Sequence, residues 1–170
     1  MSILDKKWLD EVWEKTERKL ARTAVFCREM LPYTTADGKW TERERDWWTN
    51  GVWPGTMWLM YDATGKEDYK ITAERAEVLM DDALKTVTKL HHDVGFMWHL
   101  SAGANYRLTG NKESFVRNMY AANTLAGRYN IKGIYQGLEL SRCHRLGYHR
   151  LYDEHTSLVL GIQGNRRRPL

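Results

Sequence analysis

Apolar and charged residues alternate at helical spacing over the first 30 residues. Trp8, Val12, Trp13, Leu20 and Val25 recur among charged residues, and the pattern continues through Phe26 and Met30 as far as Pro32. Apolar residues at this spacing share one face of an α-helix, and proline interrupts helical hydrogen bonding. The pattern therefore predicts an amphipathic helix that Pro32 ends. The polar segment PYTTADGKW that follows is interpreted as a loop.

The next segments alternate between aromatic-rich and charged composition. GTMWLMYDATG predicts an inward-facing helix closed by Gly65, and the charged stretch from about Tyr69 to Leu90 predicts an outward-facing helix. After the short loop HHDVG, the segments FMWHLSAGANYRLTG and NKESFVRNMYAANTLAGRYN repeat this order. The chain is therefore predicted to be all-α.

The alternation contains an internal repeat. Tyr61-x-x-Thr64-Gly65 recurs as Tyr106-x-x-Thr109-Gly110, a period of 45 residues, each copy between an aromatic and a charged helix. A repeat of this size built from two helices indicates hairpins that bury their faces against neighbours, as in a solenoid or a closed toroid. An ordinary helical bundle remains the alternative.

Charge and composition narrow the function classes. The formal net charge is +4, but residues 131–170 carry seven Lys or Arg and three Asp or Glu, so the remainder is neutral. A nucleic-acid binder concentrates basic residues on its folded surface, so a role in RNA binding is left only to the arginine-rich tail. The two cysteines and the absence of a signal peptide or membrane span predict a cytoplasmic protein without a membrane partner. The oligomeric state stays open.

The string HHDVGFMW contains the first candidate for chemistry. A carboxylate beside histidines and near aromatic residues can supply proton chemistry in a sugar pocket, whereas an aspartate at this place also commonly caps the following helix. Local sequence does not separate these two roles for Asp93. A metal usually needs three or more convergent ligands, and further ligands are not evident, so no metal site is predicted.

The string WWTNGVWPGTMWLMY contains the second candidate. Asn50, Gly51, Pro54 and Gly55 interrupt helix formation there, so Trp48 and Trp53 should flank a loop at one end of the helical layer. Loops in that position often display binding groups. Either tryptophan can stack on a sugar or pack in the core, and the sequence leaves both roles open.

Together, WWTNGVWPGTMWLMYDATG, HHDVGFMW, YRLTG and AANTLAGRYN resemble glycoside hydrolase family 88, the unsaturated glucuronyl hydrolases, over roughly residues 40–133. The resemblance implies an (α/α)6 barrel of six helical hairpins, of which this chain holds about the first three. It also implies removal of a 4,5-unsaturated uronic acid from lyase-generated oligosaccharides, through protonation and hydration of the C4=C5 double bond. No cofactor is implied.

The resemblance extends to individual positions. It assigns Asp93 as the first of two catalytic aspartates, with His92 beside it as a substrate-binding residue. Trp48 matches a tryptophan that stacks on the substrate. Val52 stands where the family commonly has phenylalanine, which weakens part of that aromatic wall. The partner implied for this site is an unsaturated uronide oligosaccharide.

The resemblance stops near Gly133, before the second aspartate. Read one base later, the codons of Ile134 to Glu139 can encode FIRAWN, and those of Arg145 to Arg167 can encode GWVIIDCMMNIPLLYWASRETGD, both close to the family pattern. We therefore predict two segments, a barrel portion over residues 1–133 and a basic, poorly ordered, out-of-frame tail over residues 134–170. A genuine divergent tail, with Asp153 or Glu154 as a substitute acid, is the alternative.

These expectations make the present chain a fragment with little or no activity. One carboxylate lacks its partner, and the inner helices should expose apolar flanks that the rest of a ring would cover. The alternative function is a non-catalytic helical-repeat module that binds carbohydrate or protein through its aromatic face.

Overall fold

The computed structural model describes residues 3–86 and 89–128. These residues form a layered array of helices with one small β-hairpin near the N-terminal helix. The helices are α1 (Ile3–Phe26), α2 (Val52–Thr64), α3 (Glu67–Lys85), α4 (Val94–Trp98), α5 (Ala102–Thr109) and α6 (Lys112–Ala126), the strands are β1 (Pro32–Ala36) and β2 (Lys39–Glu42), and a 3₁₀ turn spans Trp48–Gly51. The predicted segment boundary at residue 133 and the tail at 134–170 lie outside the described residues.

The first helix is shorter than predicted. α1 ends at Phe26, and the chain then turns with the Met30 N–H donating to the Cys27 carbonyl at 3.3 Å. Cys27 and Leu31 are fully buried, and the Leu31 N–H donates to Glu42 Oε1 at 2.8 Å. In a continuous helix the Leu31 N–H would donate to the Cys27 carbonyl, whereas here it donates to Glu42 of β2. Pro32 has no N–H group, so the helical hydrogen bonding does not resume before β1.

The segment interpreted as a loop is a β-hairpin, so that prediction was wrong. β1 and β2 pair antiparallel around Asp37 and Gly38, whose φ angles are 50° and 73°. An Asp-Gly pair favours the left-handed conformations that a two-residue hairpin turn requires, and the flanking strands here are short. The Asp-Gly pair in PYTTADGKW therefore indicated a hairpin, but the polar composition of the segment led to its interpretation as a loop.

Two hairpins of helices follow, each with an aromatic-rich inner part and a charged outer helix. α2 packs on α3, and α4 and α5 pack on α6, so each aromatic-rich segment pairs with the charged helix that follows it, in the predicted order. No helix in the described part of the chain is long and apolar enough to cross a membrane.

The 45-residue repeat corresponds to a repeated way of ending the inner helices. Gly65 and Gly110 have φ angles of 68° and 75°, and their N–H groups donate to the Tyr61 and Tyr106 carbonyls at 2.7 and 2.9 Å. Only glycine adopts this left-handed conformation without steric cost, which explains its place after each helix. The threonine before each glycine accepts a hydrogen bond from the N–H group two residues later.

The second inner helix is interrupted, unlike the continuous helix that was predicted. α4 ends at Trp98 and α5 begins at Ala102, with the Ser101 hydroxyl donating to the Met97 carbonyl at 2.5 Å. Such a bond from serine to the preceding turn competes with the regular helical pattern and often bends helices. α3 also ends at Lys85, short of the predicted Leu90.

A buried polar network joins the two hairpins. Glu77 on α3 is 1% exposed, and its carboxylate accepts hydrogen bonds from Asn105 Nδ2 at 2.9 Å and Ser114 Oγ at 2.7 Å. Arg117 lies 3.8 Å from the same carboxylate and forms a two-pronged ion pair with Asp81. A buried carboxylate is tolerated only when it is hydrogen-bonded or paired, so this network fixes how α3, α5 and α6 dock.

The network predicts how stability changes with pH. Burial raises the pKa of Glu77 from its ordinary 4.5 to about 7, although Ser114, Asn105 and Arg117 oppose the shift. Between these values the folded form binds a proton that the unfolded form has lost, so stability falls as pH rises. One pKa unit corresponds to about 1.4 kcal/mol. As pH rises through this interval, the free energy of unfolding of the wild type should therefore fall relative to that of Glu77→Gln by on the order of 3 kcal/mol.

Urea unfolding of the wild-type chain and Glu77→Gln at several pH values measures this difference. Glu113→Gln is a matched control, because the Glu113 side chain is 85% exposed, and it should keep the wild-type pH dependence. If the difference in the free energy of unfolding between wild type and Glu77→Gln did not change with pH, the raised pKa of Glu77 would be contradicted.

Candidate functional site

Asp93 lies in the loop between α3 and α4, immediately before the first residue of α4. It is 3% exposed, and its side chain makes no capping hydrogen bond to α4. The interpretation of Asp93 as a simple helix cap therefore lacks its defining contact. The structure instead places the carboxylate against two histidines, which is the environment expected for a group that exchanges protons.

Both neighbouring histidines face this carboxylate. His91 Nδ1 lies 3.3 Å from Asp93 Oδ2, and His92 Nε2 lies 3.5 Å from Asp93 Oδ1. The two imidazole rings lie 5.2 Å apart and are inclined by 48°. Each side chain is about one third exposed, so the histidines connect the buried carboxylate with solvent. The predicted pair of Asp93 and His92 is thus in contact, and His91 lies against the other oxygen of the Asp93 carboxylate.

One nitrogen of His91 has two alternative roles. The Asp93 backbone N–H donates to His91 Nδ1 at 3.2 Å, which requires an unprotonated Nδ1. The same nitrogen, when protonated, is close enough to donate to the Asp93 carboxylate. A single ring nitrogen cannot accept and donate at the same time, so only one of these two contacts is a hydrogen bond in a given tautomer of His91.

The same three residues are the candidate ligands for a metal. One donor atom from each of His91, His92 and Asp93 lies within 4.8 Å of the others. A catalytic zinc site uses three protein ligands, so the number is sufficient. However, His91 Nδ1 already accepts a backbone hydrogen bond and both histidines contact the aspartate directly. We therefore assign no metal to this loop.

Trp48 is held beside α4 through an aromatic contact. Its ring lies 5.7 Å from the ring of Phe96, with an angle of 59° between the ring planes. Phe96 is in the first turn of α4, and its N–H donates to the Asp93 carbonyl at 3.0 Å. Trp48 therefore packs on the first turn of α4, the helix that begins immediately after Asp93.

Gly51 is the reason that the two segments approach so closely. A Cβ atom at this position would lie 2.1 Å from the Phe96 carbonyl oxygen and 2.4 Å from the Met97 carbonyl oxygen. These distances are far below van der Waals contact, so a side chain does not fit. The φ of Gly51 is −74°, which any residue adopts, so the requirement is for space alone.

The turn that carries Trp48 is fixed from the other side by the β-hairpin. Asn50 is 3% exposed, and its amide donates to the Glu44 carbonyl at 2.8 Å. Tyr33 meets Trp47 edge to face at 6.1 Å, and the Arg43 guanidinium lies 4.9 Å from both rings. The hairpin that was interpreted as a loop therefore helps to hold the candidate site.

The two candidate tryptophans have different surroundings. Trp53 packs against both buried clusters of the core, whereas Trp48 is partly exposed at the surface shared with Phe96. Sequence reasoning missed His91, Phe96 and Gly51 as site residues. The doubled histidine in HHDVG was a signal for the first, but the close approach of Gly51 to α4 has no local signature.

Comparisons with known proteins give related enzymes over this same region. An unsaturated chondroitin disaccharide hydrolase of Streptococcus pneumoniae is 30% identical over 133 residues, covering 77% of this chain and 34% of that protein. An enzyme of the same name from Streptococcus agalactiae is 28% identical over 163 residues, covering 95% of the chain and 40% of its own length. The second alignment therefore reaches past residue 133. No protein-family model matches the chain.

Solved structures give the same relationship. The crystal structure of an unsaturated glucuronyl hydrolase specific for heparin superimposes with a TM-score of 0.63 and 28% identity, over 74% of this chain and 34% of that one. The helices of the present chain thus match part of a helical hydrolase, which confirms the predicted incomplete helical barrel. The chain spans about a third of the length of the relatives it matches.

Proposed function

Because this chain is homologous to the N-terminal part of unsaturated glucuronyl hydrolases, we propose that the whole protein removes 4,5-unsaturated uronic acid from lyase-generated oligosaccharides. The observation that supports this most strongly is the buried Asp93 carboxylate between His91 and His92, immediately before the helix whose Phe96 contacts Trp48. The substrate class follows the resemblance of the sequence.

The proposed chemistry begins at the C4=C5 double bond, which is a vinyl ether because C5 carries the ring oxygen. An acid gives a proton to C4, positive charge develops at C5 and the ring oxygen, and water adds at C5 as it loses a proton to a base. The resulting hemiketal opens and expels the next sugar. Asp93 acts in this scheme as acid or base, a role that typically contributes about 10²–10⁴-fold to rate.

His92 and Trp48 have binding roles in the proposal. His92 is partly exposed and adjacent to the carboxylate, so its ring can hydrogen-bond to a uronate held at Asp93. Trp48 offers a partly exposed aromatic face, and its contact with Phe96 fixes the ring orientation. Aromatic rings carry a large apolar surface that suits the face of a sugar ring. The two residues thus place the double bond against the acid.

The present 170-residue chain is proposed to be inactive or nearly so. It lacks the second aspartate that the resemblance implies, and its inner helices leave apolar side chains exposed. The frame-corrected protein, in which the codons after Gly133 are read one base later, restores a candidate for that residue. Sequencing the nucleotides around codon 133 distinguishes a frameshift from a divergent tail.

An absorbance assay tests the proposed function. Unsaturated chondroitin and heparin disaccharides absorb ultraviolet light through their conjugated double bond, and the frame-corrected protein should remove that absorbance. The 170-residue chain should leave it nearly unchanged. If the frame-corrected protein binds the disaccharides without consuming the double bond, the non-catalytic binding module is the correct function instead.

We also propose a cytoplasmic location without a nucleic-acid partner. The sequence has only two cysteines, and Cys27 is a free buried thiol, as is usual for proteins of a reducing compartment. An RNA affinity that falls steeply with salt and disappears on removal of residues 134–170 would contradict this part of the proposal.

A further inference from the structure

His91 contacts the rest of its loop through both its backbone and its side chain. Its carbonyl accepts from the Val94 N–H at 3.2 Å, and its Nδ1 accepts from the Asp93 N–H at 3.2 Å. Asparagine and aspartate side chains form the second kind of bond, to the N–H group two residues later, in Asx turns. The imidazole of His91 thus makes the hydrogen bond of an Asx turn, with a ring nitrogen in place of the side-chain oxygen.

The distances favour an accepting role for His91 Nδ1. A protonated ring nitrogen that donates to a carboxylate lies about 2.7–2.9 Å from the oxygen, whereas Nδ1 lies 3.3 Å from Asp93 Oδ2. The 3.2 Å between Nδ1 and the Asp93 backbone nitrogen is within the ordinary range for a backbone donor. A proton on Nδ1 would also deprive this N–H group of its acceptor, which is costly because Asp93 is 3% exposed. The contacts therefore favour the tautomer of His91 that carries its proton on Nε2.

The chain immediately before His91 is fixed to the core. Leu90 is 1% exposed and packs in the same buried cluster as Leu125 of α6. The Leu90 carbonyl also accepts a hydrogen bond from the guanidinium of Arg128, which follows α6. Two contacts near the end of α6 thus hold the position from which the imidazole reaches the Asp93 N–H.

The hydrogen bond to His91 acts on the backbone of Asp93. This backbone has φ and ψ angles of −81° and 8°, between the helical and extended regions, and its N–H group is directed at Nδ1. The side-chain rotamers open to a residue depend on its φ and ψ angles. Holding the backbone therefore also restricts the direction of the Asp93 carboxylate.

We propose that His91 is a positioning residue for Asp93, whose N–H group it holds so that the carboxylate keeps its direction towards the sugar. This inference rests on the proposed function, because only a reacting sugar gives that direction a catalytic purpose. The two histidines then have different tasks. His92 contacts the substrate, whereas His91 contacts the backbone of the loop and exchanges no proton with Asp93.

Nuclear magnetic resonance of the isotope-labelled 170-residue chain tests the hydrogen bond without any activity. At mildly alkaline pH, where an ordinary histidine is neutral, a scalar coupling should join the Asp93 backbone nitrogen to His91 Nδ1 across the hydrogen bond. The chemical shift of Nδ1 should be that of an unprotonated ring nitrogen. A protonated Nδ1 without the coupling would overturn the inference, whether or not the protein is active.

Two substitutions in the frame-corrected protein separate positioning from proton exchange. His91→Ala removes the acceptor and should lower kcat on an unsaturated disaccharide by about 10²-fold, as displacement of a catalytic group can. KM should change little, because Trp48 and His92 are retained. His91→Asn should restore most of the lost kcat, because the asparagine Oδ1 can accept the Asp93 N–H in an ordinary Asx turn.

Lys89→Ala is the matched control, because Lys89 lies two residues before His91 and its side chain is exposed. It should keep the activity of the unsubstituted protein, and circular dichroism checks that every variant is folded. Equal kcat values for His91→Ala and Lys89→Ala would overturn the proposal. A His91→Asn variant as slow as His91→Ala would also overturn it, since the imidazole itself would then be required.

Failure of the proposed function has a different signature. The unsubstituted frame-corrected protein would then be inactive on every unsaturated disaccharide, while the coupling in the 170-residue chain would still show whether His91 holds the Asp93 N–H.

Discussion

Replacing Asp93 by asparagine in the frame-corrected protein should lower kcat on an unsaturated disaccharide by about 10²–10⁴-fold. The amide has nearly the same size and polarity but neither donates nor accepts the proton that the reaction moves. Since Asp93 is 3% exposed and both histidines lie within 3.5 Å of its oxygens, solvent does not readily replace it. KM should change little, because the stacking surface of Trp48 is untouched.

Steady-state absorbance kinetics at several substrate concentrations separate these two constants. Asp82→Asn provides the control, because the Asp82 side chain is 70% exposed on the outer helix α3. It should retain the activity of the unsubstituted protein. If Asp93→Asn kept the kcat of the unsubstituted protein, as Asp82→Asn should, Asp93 would not take part in the chemistry.

Gly51→Ala should produce the largest loss of stability among single-methyl changes at the candidate site. The new Cβ would meet the Phe96 and Met97 carbonyl oxygens at 2.1 and 2.4 Å, and backbone atoms cannot rotate away as a flexible side chain can. The 3₁₀ turn and α4 would have to separate, which should cost about 3 kcal/mol. Separation also breaks the contact between Trp48 and Phe96.

Urea unfolding of the 170-residue chain measures this change, with Gly127→Ala as a matched control. Gly127 has a helical φ of −63°, and a Cβ there would come no closer than 3.4 Å to its neighbours. The control should be neutral or slightly stabilising, because alanine restricts the unfolded chain more than glycine does. A Gly51→Ala variant as stable as Gly127→Ala would show that the turn and α4 are not in close contact.

Features that depend on local spacing were predictable from the sequence. The inward and outward helices follow from apolar periodicity, and the two capping glycines follow from the Tyr-x-x-Thr-Gly repeat. Their common physical basis is that helix faces and helix ends are determined by neighbours within a few residues. The pairing of Asp93 with His92 was predictable for the same reason, because the two residues are adjacent.

Features that depend on contacts between distant residues were not predictable from the sequence. The end of α1 accompanies a hydrogen bond from the Leu31 N–H to Glu42, which lies on β2. Glu77 looks like one more charged residue of a surface helix until Asn105 and Ser114 close over it. In both cases contacts with residues of other elements override the local pattern, as tertiary packing commonly does.

The most direct measurement follows double-bond absorbance and sugar release together. When the frame-corrected protein is supplied with an unsaturated chondroitin or heparin disaccharide, the double-bond absorbance should fall. One mole of reducing sugar should be released for each mole of double bond lost, and Asp93→Asn should cause neither change. Release of the sugar with the absorbance retained would identify an ordinary glycosidase, and no reaction of either kind would remove the enzymatic assignment.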